Sequence, residues 1–478
     1  RRRIRELQHG GKPVLCYLTE ASGSVYIGCS EAKHIWINPA GGVRLAGLSI
    51  KSYYFRQLFD KIGVRADVVR IGEYKSAPEM FTESGPSEAN VEQLNRYLDT
   101  SYDHLLSVLA NNRKLGSKAK VAALIEEGPF TARESKTHGL VDKIVPLDQL
   151  NEALQDALDK PVYLNDRYGN RKYRHRRYVD SPAVAVVHID GDIVDGESSY
   201  IPFLDIRTSG AKTVTKVLRD LRMDNRVRIV LLRINSPGGS ALGSDMIWRE
   251  VMALKKEKPV IASMGSVAAS GGYYIASAAD EIYAEPSTLT GSIGIYYGKA
   301  DLSGLLKKIG VGTAVFKRGS HADIDSWFRP YTPEERQKLQ KQIGDFYNLF
   351  LERIVEGRGR GFTEEIANGL GQGRIWSGVD AKHHLLVDEI GGYREALNRA
   401  RSLRRVPPDI PVFHRHLPKQ SFLLRILNSV ISKAGEPSLF NALISTANLK
   451  PLLRSLVPFA VSDPASPKAR LPFAVVEE

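Results

Sequence analysis

Long apolar runs are missing from this 478-residue chain. The longest, at 229–232, 259–263 and 422–427, fall far short of the roughly 20 residues that a membrane-spanning helix needs. No secretory leader is visible either. The chain opens Arg-Arg-Arg-Ile-Arg without a methionine and reads as a fragment or a processed form. Cysteine is nearly absent. Cys16 and Cys29 lie in apolar, strand-like segments and are expected as buried thiols, not as a disulfide. Metal-ligand spacing is lacking too, since His383 and His384 are adjacent while His414 and His416 fall in a proline-rich tail. A net charge of +13 is concentrated between Arg167 and Arg177 and in the C-terminal segment, but no nucleic-acid recognition motif accompanies it. That strip reads as a solvated linker, or as a patch attracted to an anionic membrane surface.

What is present is ordinary globular composition, 42% hydrophobic and 25% charged, in a chain long enough for two or three domains. The chain also repeats itself. Tyr26–Pro39 (YIGCSEAKHIWINP) matches Tyr273–Pro286 (YYIASAADEIYAEP) at an offset of 247, and Lys61-Ile-Gly-Val64 matches Lys308-Ile-Gly-Val311 at the same offset. Leu140-Val-Asp142 and Leu386-Val-Asp388, like Lys12-Pro-Val14 and Lys258-Pro-Val260, match at 246. Four landmarks in one order make a tandem duplication. The expected division is a first copy over 1–160, a basic linker over 161–182, a second copy over 183–402 and a tail over 403–478. The tail carries one short amphipathic stretch, Ser421–Ser432, read as a surface-packed helix or an oligomer contact.

Val184–Ile189, Ile229–Ile234 and Val260–Ser263 read as buried parallel strands, with a helix over 243–257 between two of them. Thr332-Pro-Glu-Glu335 is a capping box opening a helix to about Glu356, and Ser87 opens its counterpart to about Asn112. Strands alternating with helices predict an α/β fold with crossover connections. The first copy starts late, and by comparison with the second it lacks roughly 70 opening residues.

The two copies differ where chemistry is expected. Ser270 precedes two glycines and follows Asn235-Ser-Pro-Gly-Gly239. A hydroxyl is a useful nucleophile only when a base takes its proton and backbone N–H groups hold the oxyanion. Ser270 falls opposite Gly23, or opposite Ser22 or Ser24 with a one-residue slip, and Lys75 falls opposite Ala322. One copy holds the lysine and the other the serine, as expected if a single site draws on both.

These strings, Gly-Glu-Tyr-Lys-Ser-Ala (72–77), Asn-Ser-Pro-Gly-Gly, Ala-Ala-Ser-Gly-Gly-Tyr (268–273) and Ser-Thr-Leu-Thr-Gly-Ser-Ile-Gly (287–294), resemble the signal peptide peptidase A family in its long, duplicated form. That family belongs to the Clp-protease/crotonase superfamily, and the match runs from about Gly11 to Ala400. The resemblance implies a serine endopeptidase with Ser270 as nucleophile, Lys75 as general base and Ser292 orienting the lysine amine. It further implies Gly239 and Gly271 as oxyanion donors, no cofactor, and homo-oligomers shaped as a tetramer-like bowl. Expected substrates are signal-peptide remnants at a membrane, on the extracytoplasmic face of a bacterial inner membrane or in a plastid. The family's N-terminal anchor is not in this chain.

A lysine base must be neutral, yet its ordinary pKa is about 10.4. Burial disfavours the ammonium and lowers that value, and a hydroxyl partner orients the amine without adding a negative charge. Two other readings stay open on sequence: a coenzyme A-binding, crotonase-like hydratase or isomerase, and a catalytically silent scaffold at a membrane.

Overall fold

A computed structural model describes the chain except residues 114, 163–182, 202–205, 360, 409, 411, 416–467 and 471–478. The basic strip Arg167–Arg177, His416 and the stretch Ser421–Ser432 therefore lie outside the described residues. By contact the chain divides into two compact units. One takes Arg1–Ser49 and the segment from Leu98 to the end of the first copy; the other takes Ile50–Tyr97 and the second copy. The units thus cut across the repeat, because the stretch that carries Lys75 packs with the second copy.

In the larger unit the strands Ala183–Asp190, Val227–Ser236 and Val260–Ala269 run parallel, at the core of a sheet flanked by helices. Continuous runs such as Ile-Val-Leu-Leu (229–232) are buried on both faces, as an internal parallel strand requires. The helix Ala241–Lys255 connects two of them, its Ser240 cap accepting from Gly243 N at 3.0 Å. Val260–Ala269 runs six residues past the expected Ser263. Its second half turns to pair with Leu289–Gly291, which in turn pairs with Ile375–Ser377. The capping box at Thr332 opens a 26-residue helix, Pro333–Arg358, and Glu88–Arg113 follows Ser87, whose Oγ accepts from Asn90 N.

The smaller unit copies this plan register by register. Leu15↔His34 repeats Ile261↔Glu281, Ala21↔Val43 repeats Ala268↔Thr290, and Gly42↔Thr131 repeats Leu289↔Ser377. Buried tyrosines do the same work in each unit: Tyr26 Oη donates to Leu140 O at 2.7 Å, and Tyr273 Oη donates to Leu386 O at 3.0 Å. Arg113 holds Asp142 at 2.7 Å as Arg358 holds Asp388 at 2.7 Å, and each aspartate caps a strand N–H, of Ile35 or of Ile282. Tandem duplicated α/β domains are therefore present in detail. One expectation needs correcting. Cys29 does not lie in a strand but ends the helix Gly23–Cys29, which Ser22 caps. Both cysteines are half-buried free thiols.

The copies part company at one place. Arg65–Ile71 pairs antiparallel with Ile295–Asp301 over seven residues. The counterparts of these strands by the repeat, 312–318 and 48–54, form no strand. Each copy therefore contributes one strand to this ladder and has lost the other.

Candidate active site

Three turns converge at the ends of these strands. Ser270 follows Val260–Ala269 and caps the helix Gly271–Ser277, with φ 54° and ψ −115°. Ser292 follows Leu289–Gly291 at φ 52°. Positive φ is unfavourable for a residue with a Cβ and persists only where the surroundings enforce it. Here Ser270 N donates to Gly291 O and Ser292 N donates to Arg374 O, both at 2.7 Å. Ser22, which caps the matching helix of the smaller unit, has an ordinary φ of −64°. The strained elbow therefore belongs to Ser270.

Lys75 enters from the turn after Arg65–Ile71. Its Nζ lies 2.8 Å from Ser270 Oγ, 3.1 Å from Ser292 Oγ and 3.1 Å from Ser292 O, all in the same chain. All three residues are fully buried. Burial alone holds the Lys75 amine well below its ordinary pKa, with no carboxylate close enough to restore the charge. A neutral amine has one lone pair and two N–H bonds. The lone pair suits the Ser270 hydroxyl as donor, and the two N–H bonds suit the two Ser292 oxygens as acceptors.

The lysine turn is gripped from several sides. Arg70 Nη1 donates to Lys75 O at 3.1 Å and to Glu79 Oε1 at 3.0 Å. The buried Glu79 carboxylate also accepts from Ser87 and Asn90, so its charge is answered locally. Gln93 Nε2 donates to Tyr74 O and Ser76 Oγ, while its Oε1 accepts from Ile375 N. The segment 372–374 zips the turn to the serine side, with Tyr74 N donating to Gln372 O, Gly373 N to Ile293 O and Ser292 N to Arg374 O. A Cβ at Gly373, which has φ +79°, would stand 2.4 Å from Lys75 N. Arg70 and Glu79 lie in or beside the lysine motif and could have been suspected. Gln93, Gln372 and Gly373 carry no local signal.

Gly239 lies on the short strand Gly238–Ser240, at φ +150°, packed so closely that a Cβ would meet Ile193 O at 2.1 Å. The Cβ position of Gly271 is 3.3 Å from Gly238 Cα, so the two glycine segments adjoin beside Ser270. On the other edge of Gly238–Ser240 runs an antiparallel strand, Lys468–Arg470, which also pairs with Tyr296. The cleft edge beside the nucleophile thus accepts an extended main chain. His383 and His384 sit at the end of the helix Gly378–His383; their rings contact each other, and that of His384 also contacts Trp376. Asp245 is taken up by Arg249, Arg353 and Tyr274. Among the described residues no group of three or more metal-ligating side chains occurs.

The family model described as "Peptidase family S49" matches residues 6–160 and 252–407. This chain belongs to peptidase family S49. It is 34% identical over 415 residues to "Protease 4" of Haemophilus influenzae, covering 84% of this chain and 66% of that protein. It is 33% identical over 421 residues to "Serine protease SPPA, chloroplastic" of Arabidopsis thaliana, covering 85% and 61%. The chain therefore spans just under two thirds of the length of these relatives. A ClpP1 mutant from Listeria monocytogenes aligns with 44% of this chain and 94% of its own, at 19% identity and a TM-score of 0.28, a slight likeness.

Proposed function

We propose that this S49 chain is a serine endopeptidase working through a Ser270–Lys75 dyad. The observation that carries the reading is the 2.8 Å approach of a buried, acid-free lysine amine to a serine on a strained elbow. Ser270 Oγ attacks a peptide carbonyl as Lys75 takes its proton. The backbone N–H groups of Gly239 and Gly271 hold the oxyanion, and Lys75 returns the proton to the leaving amine. Water then hydrolyses the ester, with Lys75 again the base and Ser292 orienting the amine. No step calls for a cofactor.

The substrate is an extended, mainly apolar peptide with small residues before the scissile bond, of the kind left by signal-peptide processing. The antiparallel pairing of Lys468–Arg470 with Gly238–Ser240 supports entry as an added strand. The buried apolar group Val267, Ala269, Leu289 and Ile375 next to Ser270 supports apolar preference. A homo-oligomeric bowl and a site of action at the extracytoplasmic face of a bacterial membrane, or in a plastid, complete the proposal. No described helix is long and apolar enough to cross a membrane. The domain plan of copies at 1–160 and 183–402 with a linker between fits a dyad drawn from both.

The test is labelling with a serine-directed acylating probe, read by mass spectrometry, beside hydrolysis of an apolar peptide. Label on Ser270, absent from Ser270→Ala and Lys75→Ala together with the hydrolysis, is the expected result. Turnover at near-normal rate by either folded variant would refute the dyad. A hydratase or a silent scaffold would leave Ser270 unlabelled.

A further inference from the structure

The two cysteines of the smaller unit are brought together by the fold. Cys16 is the second residue of the strand Leu15–Leu18. Alternation sends Leu15 and Tyr17 to one face, against Trp36, Val145 and Leu150, and sends Val14, Cys16 and Leu18 to the other. The helix Gly23–Cys29 covers that second face and places Tyr26, Ile27 and Cys29 in the same apolar cluster. The duplication gives an internal control. The positions matching Cys16 and Cys29 at the repeat offsets are Ala262 and Ala276, both fully buried within one cluster of the larger unit. Small side chains stand on the strand and the helix there, and in the smaller unit two thiols take their place. Unlike that alanine pair, both cysteines are only partly buried.

We propose that Cys16 and Cys29 form a redox-active dithiol that a hydroperoxide converts to an intramolecular disulfide, pinning the helix Gly23–Cys29 to the strand beneath it. The interaction between the two thiols brings that of Cys29 down to about 7 and pushes that of Cys16 up. Cys29 is thus the attacking thiolate. Its sulfur takes the distal oxygen of the hydroperoxide, the O–O bond breaks, and the remaining oxygen leaves as alcohol or water after protonation. Cys29 is now a sulfenic acid, oxidised by two electrons as the peroxide is reduced by two. The Cys16 sulfur then attacks the Cys29 sulfur. The S–S bond forms, the S–O bond breaks, and the hydroxide departs as water with the Cys16 proton.

The experiment treats the whole chain with hydrogen peroxide, alkylates it in denaturant and maps both cysteines by mass spectrometry. The expected result is a monomer lighter by about 2 Da, with Cys16 and Cys29 joined, neither alkylated, and both thiols recovered with a dithiol reductant. Cys16→Ala should stop at a Cys29 sulfenic acid that dimedone traps, and Cys29→Ala should leave Cys16 alkylatable. Each variant installs the residue found at the matching position of the larger unit, so neither opens a misfolded cluster. Both thiols still alkylatable in peroxide-treated wild type, dimers joined only between chains, or trapping at Cys16 instead of Cys29 would overturn the proposal. The outcome is independent of whether the chain is a peptidase.

Discussion

Replacing Ser292 by alanine separates a residue that orients the base from one that exchanges protons. The hydroxyl is one of three contacts on the Lys75 amine, at 3.1 Å, and the carbonyl of the same residue provides another that survives the change. A single intramolecular hydrogen bond contributes a net of about 1 kcal/mol, which translates to roughly a fivefold loss in kcat/KM. The backbone adds nothing to that figure, since alanine at φ 52° is strained as serine is. Glycine at the same position relieves the strain while also losing the hydroxyl. Ser292→Gly should therefore match Ser292→Ala in activity and exceed it in thermal stability. The assay is steady-state hydrolysis of a fluorogenic apolar peptide across pH, with melting curves alongside. With one acceptor fewer for its N–H bonds, the ammonium form of Lys75 is disfavoured further, so the acidic limb of the profile should move to lower pH. A loss beyond about a hundredfold would place Ser292 in the proton transfer itself. An unchanged rate would refute the idea that the hydroxyl orients the amine.

Activity should rise with pH through the depressed pKa of Lys75, because only the neutral amine accepts the Ser270 proton and burial populates that form below the usual lysine range. Since desolvation and not a neighbouring cation lowers it, the midpoint should stay put between low and high salt; a midpoint that climbs with salt would point to a charged neighbour instead. Gly373→Ala should cut hydrolysis by more than tenfold, because its Cβ would collide with Lys75 N, and normal rates would show the turn to be more yielding than its packing implies. A tightly folded globular substrate should resist cleavage that the same protein suffers when unfolded; equal rates on both would remove the added-strand mode of binding while leaving the dyad untouched.

Much of this arrangement could be read before any coordinates. The repeat offsets anticipated matched registers, the continuous apolar runs marked the parallel strands, and the Thr332 box marked a helix start. Ser270 stood out because it precedes two glycines and follows Asn-Ser-Pro-Gly-Gly, and Lys75 because alanine falls opposite it in the other copy. What stayed hidden depends on distant pairing. Nothing local in Arg65–Ile71 says that it will pair with Ile295–Asp301, or that residues 312–318 will form no strand. Gln93 and Gly373 hold the lysine turn through contacts remote in sequence, and remote contacts leave no periodic trace. Cys29 misled because Tyr-Ile-Gly-Cys is apolar enough for a strand, whereas the Ser22 cap and the cover it gives the sheet decide for a helix.

The ladder between Arg65–Ile71 and Ile295–Asp301 also sets a schedule. Lys75 meets Ser270 across 195 residues and Ser292 across 217, so no local folding event can bring them together. At a synthesis rate of about 5–20 residues per second, the lysine strand waits on the order of ten seconds or more for its partner to be made. During that interval its edge is bare, and long-range closure of this kind is among the slower steps of folding. The growing polypeptide thus carries its base without its nucleophile until 195 further residues have been made. A hydrolytic centre built this way ripens late, after the segments it could otherwise attack have found their places.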